Sequence, residues 1–130
     1  MPWRRVGNLL VLSGQVNERD GTVQAAGLVG DALSVGEARA QAELCLLNLL
    51  FHLREACDGR LDRLRQWVRL GGFVAAQPGF SAAPAVIDAA SELLIDLYGE
   101  AGMHARTAIA VAGLPGGACV EIEAMVELIA

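Results

Sequence analysis

Lysine is absent from this 130-residue chain, and all ten basic residues are arginines. That excludes Schiff-base catalysis, a P-loop lysine and a kinase-type phosphate lysine, because each needs an ε-amine. Aromatic residues make up only 5% of the chain, too few for a base-stacking nucleic-acid platform. Fifteen acids against ten bases leave a net charge of −5, which opposes wrapping a polyphosphate backbone. The three cysteines, Cys45, Cys57 and Cys119, form no C-x-x-C pair, and His52 and His104 are the only imidazoles. A structural zinc site is therefore not expected, and the thiols read as reduced and buried in a cytoplasmic protein. Long apolar runs are missing too. The longest near the start, Leu9 to Leu12, is four residues, where a signal peptide needs about seven or more. No window approaches the roughly 18 apolar residues of a membrane span.

Apolar residues, at 54%, are enough to fill one core, and the length fits a single domain over residues 1–130. Trp3–Val6 and Leu9–Gln15 flank Gly7-Asn8 and read as an antiparallel hairpin. Asn17–Gly21 is a polar turn, and Thr22–Ala26 reads as a short third strand. Ser34 with Glu37 is a capping box opening a helix to about Ala56, whose apolar stripe is Ala38, Ala42, Cys45, Leu49 and His52/Leu53. From about Gln66 a strand is expected, and Gly71-Gly72 within it marks close approach to the backbone by something else. A second helix begins at Ser81–Pro84, carries Val86, Ala90, Leu93/Leu94 and Leu97 on one stripe, and stops at Gly99.

The last third alternates. Thr107, Ile109 and Val111 oppose Arg106, Ala108 and Ala110; Val120, Ile122, Ala124, Val126 and Leu128 oppose Glu121, Glu123 and Glu127. The order β-β-(β)-α-β-α-β-β predicts an α+β domain: a mixed sheet of five or six strands with two helices on one face. The small residues Ala108 and Ala110 beside Arg106 are expected on the face away from the helices, where a second copy of the chain would cover them. Arg60, Arg63, Arg65 and Arg69 form a local basic cluster offset by Asp58 and Asp62. No G-x-G-x-x-G, G-x-x-x-x-G-K or H-E-x-x-H motif occurs, and Ser13 has no evident His-Asp relay.

Ala105-Arg106-Thr107-Ala108-Ile109-Ala110-Val111-Ala112-Gly113-Leu114-Pro115, followed by Val120-Glu121-Ile122-Glu123-Ala124, resembles the C-terminal signature of the RidA/YjgF family, formerly called endoribonuclease L-PSP. Gly7-Asn8 through Ser13-Gly14-Gln15 is similar to that family's opening strand, and Trp67–Val74 to its central one. The resemblance implies a chorismate-mutase-like fold and a homotrimer with ligand clefts between subunits. It also implies hydrolysis of reactive 2-imino acids to 2-oxo acids and ammonia, with no metal or organic cofactor. On that resemblance Arg106 holds a substrate carboxylate through its planar fork and Glu121 activates water. Ser13 and the backbone near Phe73 and Val74 line the cleft. The family's P-A-R-S is His104-Ala105-Arg106-Thr107 here, and Ala108 stands where the characterised branch often has cysteine. Two other readings compete. One is a non-catalytic trimeric binder of small carboxylates; the other is an RNA-binding or RNA-cleaving protein, which the charge opposes.

Overall fold

The computed structural model describes all 130 residues. Seven strands and two helices run in the order β1 (Trp3–Val6), β2 (Leu9–Val16), β3 (Glu18–Arg19), β4 (Thr22–Val23), α1 (Val35–Ala56), β5 (Leu64–Ala75), α2 (Ala83–Tyr98), β6 (Ala105–Val111) and β7 (Val120–Leu128). Five strands form one sheet in the order β1-β2-β7-β5-β6. The expected third strand does not join it: β4 pairs only with β3, a separate two-stranded ribbon. The last two strands, β6 and β7, do not pair with each other. β7 inserts antiparallel between β2 and β5, and β6 lies at the edge, parallel to β5.

This order explains why both helices share a face. β2, β5 and β6 run in one direction, so β2-α1-β5 and β5-α2-β6 are crossovers moving the same way along the sheet. Right-handed crossovers in one direction place their helices on one side. The capping box forms as expected: Ser34 Oγ accepts from the Glu37 N–H at 3.0 Å, and Glu37 Oε1 accepts from the Ser34 N–H at 3.2 Å. Such a cap contributes about 1 kcal/mol. Gly99, at φ 60°, ends α2 in a conformation that favours glycine. Leu97, expected on the buried stripe of α2, is exposed, and Ile87 takes its share of the core instead.

The core is one cluster between helices and sheet, with Leu10, Leu12, Trp67, Leu70, Val74, Ile122 and Val126 from the strands meeting Leu46, Leu49, Ile87 and Leu94. At Gly72 a Cβ would stand 2.5 Å from Ile87 Cγ1, so α2 presses directly on the β5 backbone. The three thiols are free and buried. Burial pushes the Cys119 thiol up to about 11 from 9.0, and it also pushes up Cys45, whose Sγ donates to the Val120 carbonyl at 3.5 Å. A thiol titrating near 11 rather than 9.0 holds about 100-fold less thiolate near neutral pH. Native protein should therefore react with iodoacetamide at Cys119 at least about 100-fold more slowly than unfolded protein. Rapid alkylation of the native chain at Cys119 would contradict the packing.

Candidate functional site

The Arg106 side chain defines the site. Arg106 is the second residue of β6 and pairs in register with Leu70, a core residue, so it points to the helix face. Ala108, next to Gly72, and Ala110, next to Val74, point the same way, whereas Thr107 and Ile109 face the open side. The expected face assignment is thus reversed. Ile87 of α2 presses on Gly72, and the small Ala108 beside it packs against the same core.

On the helix side Arg106 meets two residues three apart on α2, which share one helix face. Its Nη1 donates to Asp88 Oδ1 at 2.7 Å and to Ser91 Oγ at 3.2 Å. Ser91 Oγ is also 2.8 Å from His104 Nε2, and His104 Nδ1 is 2.7 Å from the Gly102 carbonyl. A Cβ at Gly102 would collide with the Leu94 carbonyl, so glycine lets the chain before β6 lie against α2 and brings His104 to Ser91. Ser91, Ile95, Met103, His104 and Arg106 line a cleft of about 230 Å³. A cleft of about 260 Å³ formed by Val29, Gly30 and Gln77–Phe80 has no titratable side chain and offers no acid–base group. Nowhere do three His, Cys, Asp or Glu side chains converge to hold a metal ion. No helix is long and apolar enough to cross a membrane.

The remaining expected site residues lie elsewhere. Glu121 pairs with Phe73 on the open face, and its carboxylate crowds Gly14 of β2, where a Cβ would stand 2.8 Å from Oε2. Arg106 and Glu121 therefore occupy opposite faces of the sheet within one protomer. Val74 is fully buried and its backbone lies between β6 and β7, so it lines no cleft in the protomer. Ser13 is exposed and donates to the Met1 carbonyl at 2.6 Å, tying down the N-terminal strand. The basic cluster is offset by acids: Arg60 meets Asp62 at 3.4 Å, Arg65 meets Glu127 at 3.9 Å and Arg69 meets Glu123 at 3.6 Å. It presents no unopposed positive stripe to a nucleic acid.

Burial, and secondarily the neighbouring Glu123, raises the Glu121 pKa above its ordinary 4.5. The folded state then binds more protons than the unfolded chain between 4.5 and the raised value, so stability falls as pH rises through that window. In the single chain, at protein concentrations too low for assembly, Glu121→Gln should raise the Tm at pH 7, with a smaller gain at pH 4. Paired thermal melts at pH 4 and pH 7 check this. A variant less stable than the parent at pH 7 would oppose the assignment.

Residues 1–128 match the family model described as "YjgF/chorismate_mutase-like, putative endoribonuclease". The chain belongs to the RidA/YjgF family. Protein TCP17 of Trypanosoma cruzi is 40% identical over 123 residues, 94% of this chain and 76% of that protein. The crystal structure of Atu1372 from Agrobacterium tumefaciens, a protein described as of unknown function, is 42% identical with a TM-score of 0.97, covering 100% of this chain and 83% of that one. RidA from an Antarctic Psychrobacter superposes with a TM-score of 0.61 at 25% identity, over 98% of this chain and 86% of its own. This chain therefore superposes more closely on Atu1372 than on that RidA, while sharing the family's chorismate-mutase-like fold with both.

His104 was legible in the sequence only as a polar loop residue. Its partner Ser91 carried no signal at all, because thirteen residues and a change of element separate the two.

Proposed function

We propose that this protein hydrolyses small 2-imino acids to 2-oxo acids and ammonia, at clefts formed when three copies assemble. The observation that carries the reading is the state of Arg106. Its Nη1 is anchored by Asp88 and Ser91, while Nε and Nη2 make no hydrogen bond within the protomer, and the residue lines the cleft. A guanidinium held by one nitrogen presents its other edge as a fixed fork for a carboxylate. Ile95 and Met103 supply an apolar wall for a short side chain. A cleft of about 230 Å³ is smaller than the roughly 300–1,000 Å³ pockets of drug-sized ligands and is on the scale of a small organic acid.

Glu121 suits the role of base, since a raised carboxylate pKa strengthens proton abstraction from water. Water adds to the imine carbon, the nitrogen takes the proton, and collapse of the carbinolamine releases ammonia. With the two residues on opposite faces of one sheet, Glu121 must come to Arg106 from a neighbouring copy. The open face has the apolar content to be covered by one: Ile109 is 46% exposed, and Phe73 and Val11 are partly so.

The test generates 2-iminopropanoate in situ and follows its disappearance with and without the protein, together with the mass in solution by light scattering. The expected result is acceleration at micromolar protein by a species of three chains. A monomer, or an unchanged rate, would overturn the reading. If small 2-oxo acids then raise the Tm without turnover, the non-catalytic carboxylate binder takes its place.

A further inference from the structure

We infer that Ser91 and His104 form a nucleophile–base pair for acyl transfer from small esters, an activity separate from imine hydrolysis. The direction of each hydrogen bond can be derived. The Gly102 carbonyl can only accept, so His104 Nδ1 at 2.7 Å carries the proton. In the neutral ring Nε2 is then a bare acceptor, and Ser91 Oγ at 2.8 Å donates to it. Arg106 Nη1, at 3.2 Å, occupies a lone pair of the same oxygen. Ser91 does not turn its hydroxyl to the carbonyl four residues back, the bond common to serines inside helices. Its proton is aimed at a base that a third group orients, the arrangement that activates serine nucleophiles. The carboxylate facing this group, Asp88, is taken up by Arg106, which leaves His104 as the proton acceptor.

Access and chemistry agree. Ser91 and His104 both line the cleft of about 230 Å³, with Ile95 and Met103 as its apolar wall. That wall and volume fit an acyl group of a few carbons. Ser91 Oγ adds to the ester carbonyl carbon and its proton passes to His104 Nε2. Arg106 lines the same cleft, and its positive charge would stabilise the oxyanion that forms. As the adduct collapses, the acyl–alkoxy bond breaks and the alcohol leaves with the proton from Nε2. Water then adds to the acyl-serine, giving its proton to Nε2. The serine–acyl bond breaks, Ser91 recovers that proton, and a carboxylic acid departs. Ester and water become acid and alcohol, with no other reactant.

An alkyl fluorophosphonate tests the pair directly, since the serine oxygen displaces fluoride from phosphorus only when its proton is taken up. Peptide mass spectrometry should find one adduct, on Ser91, formed at least about 100-fold more slowly in His104→Gln. Cleavage of 4-nitrophenyl acetate should fall to the buffer rate in Ser91→Ala, with far-UV circular dichroism establishing that both variants fold. No adduct on Ser91 of the wild-type protein, equal labelling in folded His104→Gln, or undiminished cleavage in folded Ser91→Ala would each overturn the inference. Labelling of Ser91 requires no imine turnover. A protein inert towards imines but labelled at Ser91 loses the proposed function and keeps this one; the opposite pattern does the reverse.

Discussion

Arg106→Ala should lower kcat/KM for 2-imino acids about 100-fold, equivalent to about 2.7 kcal/mol of transition-state binding. On the proposed function, the lost interaction would be a bidentate, charge-assisted one in a half-buried setting: the Arg106 side chain is 24% exposed. It therefore exceeds the ~0–1 kcal/mol of an exposed pair, while desolvation keeps it below the Coulomb limit. Removing the guanidinium leaves Asp88 without its partner, but that carboxylate is 47% exposed and is re-solvated, so the fold should survive. Arg106→Lys separates charge from geometry. An ammonium keeps the positive charge but has no planar fork, so it should recover only part of the loss. The checks are kcat/KM for each variant and circular dichroism for the fold. An alanine variant within twofold of the parent would remove Arg106 from the reaction.

Trp67→Ala should cost about 3–5 kcal/mol of stability, the range for deleting a buried aromatic ring. Trp67 is 1% exposed and sits on β5 opposite Val126 of β7, with its ring centroid 5.9 Å from that of Tyr98 on α2. It therefore joins the middle of the sheet to the end of the second helix. A domain of this size has about 5–15 kcal/mol in total, so the variant should be marginal, with a Tm lower by roughly 10–20 °C. Urea titration at fixed protein concentration measures it. A loss under about 1 kcal/mol would mean the ring is not seated as described.

The alternation of β7 was legible because its central place gives it one fully dry face: Val120, Ile122, Ala124, Val126 and Leu128 are all buried. The cap of α1 was legible because its chemistry is local to Ser34 and Glu37. Gly71-Gly72 announced a close approach without saying by what, and the answer at Gly72 is Ile87. Strand order could not be read, since nothing in Ala105–Val111 or Val120–Leu128 says which one enters the middle of the sheet.

The sequence by itself determined the two helices and the five strands of the main sheet, their order along the chain and the parity of side chains along each strand. Parity is intrinsic to an extended backbone, and each of these rests on interactions between residues near one another in the chain. Only the tertiary structure decided which parity of β6 meets the helices, because that depends on how closely α2 crosses Gly72. With it came the separation of Arg106 from Glu121 and the meeting of Ser91 with His104. Both follow from the packing of α2, β6 and the turn at Gly102, a contact between distant segments that no local pattern encodes.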